Sequence, residues 1–224
     1  GSAKGLKLTW RDLRTNDSNS FNKEKIEALM DDIKNKEGMV SNLESKKKKS
    51  HSPGLYNLTE LQKDADKIFD YSAKETLSIM QKLYEQHKIL TYPRTDSRYL
   101  SEDIVETLKD RLTACGIGPM KKMAFRLSKT PIRGNKSFVD NKKVTDHHAI
   151  IPTEEGVIPS ELSNRERNIY DLVVERFLSV LSPPYEYEEI VATVKIGKEI
   201  LTVKDSRTIN LGWKAITNEN ADND

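Results

Sequence analysis

Thr91-Tyr92-Pro93-Arg94-Thr95-Asp96-Ser97-Arg98-Tyr99 decides how the rest of this chain is read, because a phenol and a guanidinium stand on either side of a proline. Pro93 fixes its own φ, denies Tyr92 the helical region and removes a backbone donor. The expectation is a defined, helix-breaking bend that presents the Tyr92 hydroxyl. A second unusual string, Asp146-His147-His148-Ala149-Ile150-Ile151-Pro152-Thr153, follows later in the chain. Tyr, Arg and His together suit phosphodiester transesterification: the phenol attacks phosphorus, arginine forks onto the non-bridging oxygens, and histidine supplies a further donor. These residues supply no metal site.

Outward from these strings the sequence resembles the type IA DNA topoisomerases, and its wording is most similar to the topoisomerase III branch. The similarity extends through Leu58 to Ala65, Tyr71 to His87 and the Gly212-Trp213 pair. The resemblance implies that Tyr92 is the tyrosine that becomes joined to the 5′ end of a cut single strand. It implies that Arg94 assists beside it, and that His147, first of the two histidines, contacts the scissile or a neighbouring phosphate. It further implies strand passage and religation without ATP, which relaxes or decatenates DNA. The family's nucleotidyl domain, with its Asp-x-Asp and Glu metal ligands and its early lysine, has no counterpart in this sequence. The resemblance therefore implies a gate fragment of a multidomain, toroidal enzyme, with Mg2+ expected only through the missing domain and no cofactor in the fragment. Partners so implied are single-stranded DNA and that nucleotidyl domain.

The chain has 224 residues, 36% of them hydrophobic, enough for a core but low for a compact enzyme. Lys+Arg is 37 against Asp+Glu 35, so the net charge of +2 does not by itself argue for nucleic acid, and local clusters must carry that argument. Cys115 is the lone cysteine, which excludes an internal disulfide and any zinc site built on several thiolates; a reducing cytoplasm is the simplest setting. No run approaches the roughly twenty apolar residues of a membrane span, the amino end has no charged-then-apolar leader, and Gly1-Ser2 reads as a cloning scar on a piece of a longer protein.

The expected fold class is α+β, a helical tyrosine-bearing domain at 59–182 inserted into a strand-rich arch or hinge domain at 3–58 and 183–217, with a polar tail at 218–224. Periodicity predicts a helix over Lys23 to Asn35 and a strand over Met39 to Leu43, and the run Lys46 to Lys49 reads as an exposed edge or loop. Capping-box patterns at Thr59-x-x-Gln62, Ser72-x-x-Glu75 and Ser163-x-x-Glu166 mark helix starts, Ser101 caps another, and Asn164 to Leu181 forms a helix stopped by Pro183-Pro184. Short helices and loops are expected over Thr113 to Thr145. Tyr185 to Thr208 alternates like strands around a Gly197-Lys198 turn, and Trp10 and Trp213 read as sheet core. Hinges for a swinging gate are expected at Asn57 to Thr59 and Ser182 to Tyr185.

Each residue has a bland alternative. A Tyr-Pro pair by itself is a packed aromatic at a turn, and Asp96 and Ser97 after the bend are ordinary turn residues. Neighbouring histidines in extended chain face opposite sides, so one of His147 and His148 is expected to be structural. Asp146 either orients an imidazole or caps a turn. Lys121, Lys122, Arg126, Lys129, Arg133, Lys136, Lys142 and Lys143 either follow a single strand's phosphates or form a solvated loop. Candidate DNA contacts are thus Arg94, Arg98, His147, Lys142 and Lys143. Two rival functions remain open at this level. Asp-His-His-Ala suits a metal-dependent phosphoesterase, which needs further aspartates on strands, and the whole chain suits a non-catalytic single-strand binding module.

Overall fold

A computed structural model describes residues 2–3, 6–12, 15 and 17–216 of the chain; the expected polar tail at 218–224 lies outside them. The chain divides into two compact units. The described residues of 1–50, together with 186–210, form a strand-rich unit. Residues 51–185 and 211–216 belong to a helical one.

In the strand-rich unit, β1 (Ser2–Ala3), β2 (Leu6–Trp10), β3 (Gly38–Ser50), β4 (Tyr185–Ile196) and β5 (Glu199–Asn210) form one sheet in the order β1-β2-β5-β4-β3. β4 and β5 are an antiparallel hairpin paired from Ile196↔Glu199 out to Glu186↔Asn210. The expected turn lies at Gly197-Lys198, where Gly197 has φ +61° and the Lys198 N–H donates to Asp32 Oδ2 at 2.9 Å. A side chain at 197 would be strained by that φ and would strike Asp32. The strand foreseen at Met39 to Leu43 runs on through the lysines to Ser50, so the Lys46–Lys49 run is edge strand. It pairs with its neighbour by charge as well: Lys48 reaches Glu189 and Lys49 reaches Glu186, each at 2.7 Å. Lysines on an unpaired edge also discourage the docking of further strands. α1 spans Lys23–Ile33 and is capped by Asn22. Trp10 is a half-buried strand residue whose indole N–H donates to Glu199 at 2.8 Å.

The helical unit contains α2 (Leu58–Phe69), α3 (Ala73–Glu85), α4 (Leu108–Cys115), α5 (Lys121–Ser128) and α6 (Asn164–Leu181). Its core joins Leu61 and Ala65 of α2, Met80 and Leu83 of α3, Leu112 of α4, Leu127 of α5 and Ile169, Val173 and Phe177 of α6. α6 begins as its capping box requires: the Ser163 hydroxyl accepts from the Glu166 N–H, and the Glu166 carboxylate accepts from the Ser163 N–H. Two other starts differ from expectation. Asn57, not Thr59, caps α2, because its side chain accepts from Glu60 N–H and places Thr59 inside the first turn. Ser101 makes no capping bond with its side chain; a 3-10 segment Glu102–Thr107 intervenes before α4.

Residues 51–58 and 183–185, expected with the strands, lie with the helices, as do 211–216. The reason is burial: Leu55 and Tyr56 sink into the helical core, and so does Ile216. Trp213 is accordingly not in the sheet. It is half-buried in a turn, where its N–H donates to the Pro183 carbonyl at 3.0 Å.

Cys115 is fully buried, and burial pushes its thiol up to about 12. Maleimide or disulfide-exchange labelling at neutral pH should therefore proceed at the rate of unfolding and rise with urea along the unfolding transition. Rapid labelling of folded protein would contradict this packing.

Candidate active site

The two strings meet in the helical unit without forming a regular sheet. Thr91 N–H donates to Ile151 O at 3.0 Å, Ile151 N–H returns to the Thr91 hydroxyl at 3.0 Å, and Ala149 N–H donates to Tyr99 O at 2.9 Å. Ile150 N–H bonds to Tyr56 O at 2.8 Å on the other side. Because Ala149, Ile150 and Ile151 are fully buried, these isolated contacts satisfy backbone groups that water cannot reach. The strings are also joined by side chains. Thr95 Oγ1 donates to the His147 carbonyl at 3.0 Å, and Ser97 Oγ donates to the Lys143 carbonyl at 2.8 Å.

Around Pro93, which is itself buried, the chain bends as expected. Thr95 N–H donates to Pro93 O at 3.2 Å, closing a three-residue turn with Arg94 at its apex. Arg94 is exposed and its guanidinium has no hydrogen-bond or ion-pair partner among the described residues. Tyr92 is half-buried between two rings. His147 lies 4.1 Å away, centroid to centroid, tilted by 34°, and Tyr84 meets it edge-on at 5.5 Å. The exposed His147 and the apex arginine thus share one surface segment with the phenol.

Arg98 is placed differently from Arg94. Its Nε and Nη2 donate to the carbonyls of Leu55 and Gly54 at 3.0 and 3.2 Å. This guanidinium is engaged in holding the chain at 54–55. Lys142 and Lys143 are both exposed; Lys143 Nζ bonds to the Tyr99 hydroxyl at 3.1 Å and lies over that ring at 4.3 Å. Between Arg111 and Val139 there is no Asp or Glu. Lys121, Lys122 and Phe125 of that segment line a groove of about 680 Å3 with Leu112 and Pro119, apart from the two strings. Another groove, of about 530 Å3, is lined by Tyr84, Lys88, Leu90, Thr91 and Tyr92 itself. Among the described residues no group of three His, Cys, Asp or Glu side chains could hold a metal ion. The described residues therefore offer no such set of ligands for magnesium.

His148, the second histidine, is the less exposed of the two. It is half-buried, its Nδ1 lies 2.7 Å from the Ala149 carbonyl, and burial holds its imidazole below the ordinary value. Arg111 and His147 lower it further, while the Ala149 carbonyl and Asp103 push the other way. Sequence reasoning missed Arg111. It is 6% exposed and ties α4 to the histidine string through Pro152 O at 2.9 Å and Glu154 at 2.9 Å. The signal available was a lone arginine on an otherwise apolar helix face.

A family model described as DNA topoisomerase matches residues 3–224. A DNA topoisomerase 3 of Bacillus cereus is 56% identical over 211 residues, covering 94% of this chain and 29% of its own length. The protein of the same name from Bacillus subtilis (strain 168) is 49% identical over 212 residues, 95% of this chain and again 29% of its own. Full-length topoisomerase I from Thermotoga maritima superposes with a TM-score of 0.64 at 22% identity, over 93% of this chain and 35% of that one, a likeness of fold. This chain spans less than a third of the length of the curated relatives it matches.

The His148 environment sets a sign for pH dependence. Its folded value lies below the ordinary imidazole value of about 6.5, so the unfolded chain binds more protons in that window. The contribution is fully present above that pH and is lost as the pH falls towards the folded value. The urea midpoint should drop more between pH 7 and pH 5 for the wild type than for His148→Asn, and parallel drops would show that His148 is not the group responsible.

Proposed function

This chain is a member of the DNA topoisomerase family, of the type IA, topoisomerase III-like kind, and from that premise we propose that it is the tyrosine-bearing gate segment with which the parent enzyme opens one DNA strand. The observation that carries this is the surface segment itself: the Tyr92 phenol against His147, with an unpartnered Arg94 at the apex of the same turn.

The chemistry follows from those groups. A phenol ionises near 10, about three units above neutrality, and needs stabilisation to attack. The Tyr92 oxygen bonds to phosphorus and the bond to the deoxyribose 3′-oxygen breaks. The phenolic proton is lost to solvent or to a base in the remainder of the parent, and the 3′-oxygen departs protonated. Arg94 forks onto the non-bridging oxygens as their charge grows, and His147 adds a donor beside them. Because the phosphotyrosine conserves the bond energy, the reverse path rejoins the strand without a nucleotide triphosphate. In this proposal another strand passes through the gap while the break is held, and the chain crossings at Ser50–His51 and Tyr185–Glu186 serve as hinges, in place of the expected Asn57 to Thr59, where Asn57 caps α2. Lys142 and Lys143 and the carboxylate-free segment 111–139 contribute phosphate contacts. Arg98 acts from within. By itself this chain binds single-stranded DNA and does not cut it, because the acidic metal-binding domain belongs to the remainder of the parent; a bacterial cytoplasm is its setting.

Two measurements test the reading. In the full-length parent, Tyr92→Phe should abolish the covalent adduct trapped by denaturant, and Arg94→Ala should slow cleavage by about 10²- to 10³-fold, the scale for a lost donor to a transition-state oxyanion. Wild-type adduct levels in Tyr92→Phe would overturn it. For the isolated chain, the affinity for oligo-dT should fall linearly on a log–log plot against salt, and Lys142→Ala with Lys143→Ala should flatten that slope.

A further inference from the structure

Thr95 carries more than turn geometry. Its hydroxyl is used in both directions: Oγ1 accepts from the Ser97 N–H at 3.1 Å and donates to the His147 carbonyl at 3.0 Å. Its backbone is used twice as well, since its N–H closes the Arg94 turn on Pro93 O and its carbonyl accepts from Leu58 N–H at 3.1 Å. The residue is 6% exposed, so water cannot replace a lost partner. Ser97, 8% exposed, repeats the pattern one step along: its hydroxyl donates to Lys143 O and accepts from Tyr99 N–H. Of these two hydroxyls, that of Thr95 reaches the very residue whose ring lies on Tyr92.

We propose that Thr95 is a positioning residue, its hydroxyl stapling the Tyr92–Arg94 turn to the backbone of His147 so that phenol, guanidinium and imidazole stay in one arrangement. The proposal rests on the reading of Tyr92 as the nucleophile. Threonine suits the task because branching at Cβ restricts χ1, which keeps the oxygen between its two partners. Valine has nearly the same shape and no hydroxyl. Thr95→Val therefore leaves the fold's volume intact, orphans both Ser97 N–H and His147 C=O, and frees the histidine string to shift relative to the turn. A displacement near 1 Å at reacting groups costs on the order of 10²-fold in rate.

The experiment uses the full-length parent enzyme and compares wild type, Thr95→Val, Thr95→Ser, Thr130→Val and Tyr92→Phe. Thr130, an exposed residue, also gives its hydroxyl to a backbone carbonyl, Leu127 O at 2.8 Å, apart from the two strings, and so controls for the loss of a threonine hydroxyl bond as such. Each variant is measured for thermal midpoint, for oligonucleotide affinity and for single-turnover cleavage at saturating DNA. Thr95→Val should cleave about 10- to 100-fold more slowly with affinity changed less than about twofold, whereas Thr95→Ser should restore the rate to within about threefold. Thr130→Val should show no such loss of rate. Wild-type cleavage by Thr95→Val, or an equal loss in Thr130→Val, overturns the positioning role while leaving Tyr92 as nucleophile. Normal adduct in Tyr92→Phe overturns the underlying reading instead.

Discussion

A buried peptide group must find a partner, and in the helical unit this requirement falls hardest on two strings of chain that belong to no helix and no sheet. Each solves it with the other. Single bridges at Tyr56–Ile150 and Leu90–Pro152 and the hydroxyls of Thr91, Thr95 and Ser97 stand in for a ladder of regular pairing. The exposed chemistry of Tyr92, Arg94 and His147 sits on top of that lacing, so its geometry is only as fixed as these bonds. Helices supply the apolar floor beneath them, but no helix carries the three side chains.

A second network anchors the chain as it enters the helical unit. Arg176 of α6 lies over the Tyr56 ring at 4.0 Å, donates to the Tyr56 hydroxyl at 3.0 Å and to Asp64 at 2.7 Å, and holds the Gly54 carbonyl at 3.1 Å. Arg98 takes the same Gly54 carbonyl from the side of the tyrosine string. Burial, and after it the hydrogen bond to Asp64, drives the Tyr56 hydroxyl well above the ordinary phenol range and keeps it a neutral donor. Two arginines on one stretch of backbone make 54–56 a fixed reference, against which both α6 and the tyrosine string are set.

What the sequence made legible was whatever local chemistry determines. α6 begins and ends where Ser163-x-x-Glu166 and Pro183-Pro184 place it, and the hairpin turns at Gly197 because that position requires a left-handed φ. The family reading stood on the two strings taken together, and the family match over residues 3–224 bears it out. Misplacements came where tertiary contacts outvote local pattern. Asn57 outcompetes Thr59 as a cap because its amide nitrogen also bonds to Asp96 O at 3.1 Å, a contact with the distant string. Trp213 and residues 51–58 joined the helices for burial that no periodicity announces. Arg98 looked like Arg94 in sequence, but one guanidinium is wrapped in carbonyls and the other stands at the apex of a turn. The sign of a side chain's charge is readable from one letter; its vacancy for a ligand is not.

The register of the sheet has a bearing on how the chain acquires its shape. Leu8 pairs with Val203 and Trp10 with Leu201, so β2 waits for a partner far along the chain. Everything from His51 to Tyr185 emerges in between, and its contacts are largely with itself. Closing so long a loop is entropically slow, while the intervening helices meet over short separations. The helical unit is thus poised to collapse first, and β2 and β3 gain their hairpin partners later. Until then the lysines of β3 oppose the docking of foreign strands on its open edge, so the edge charge guards the slow step of pairing as well as the finished sheet.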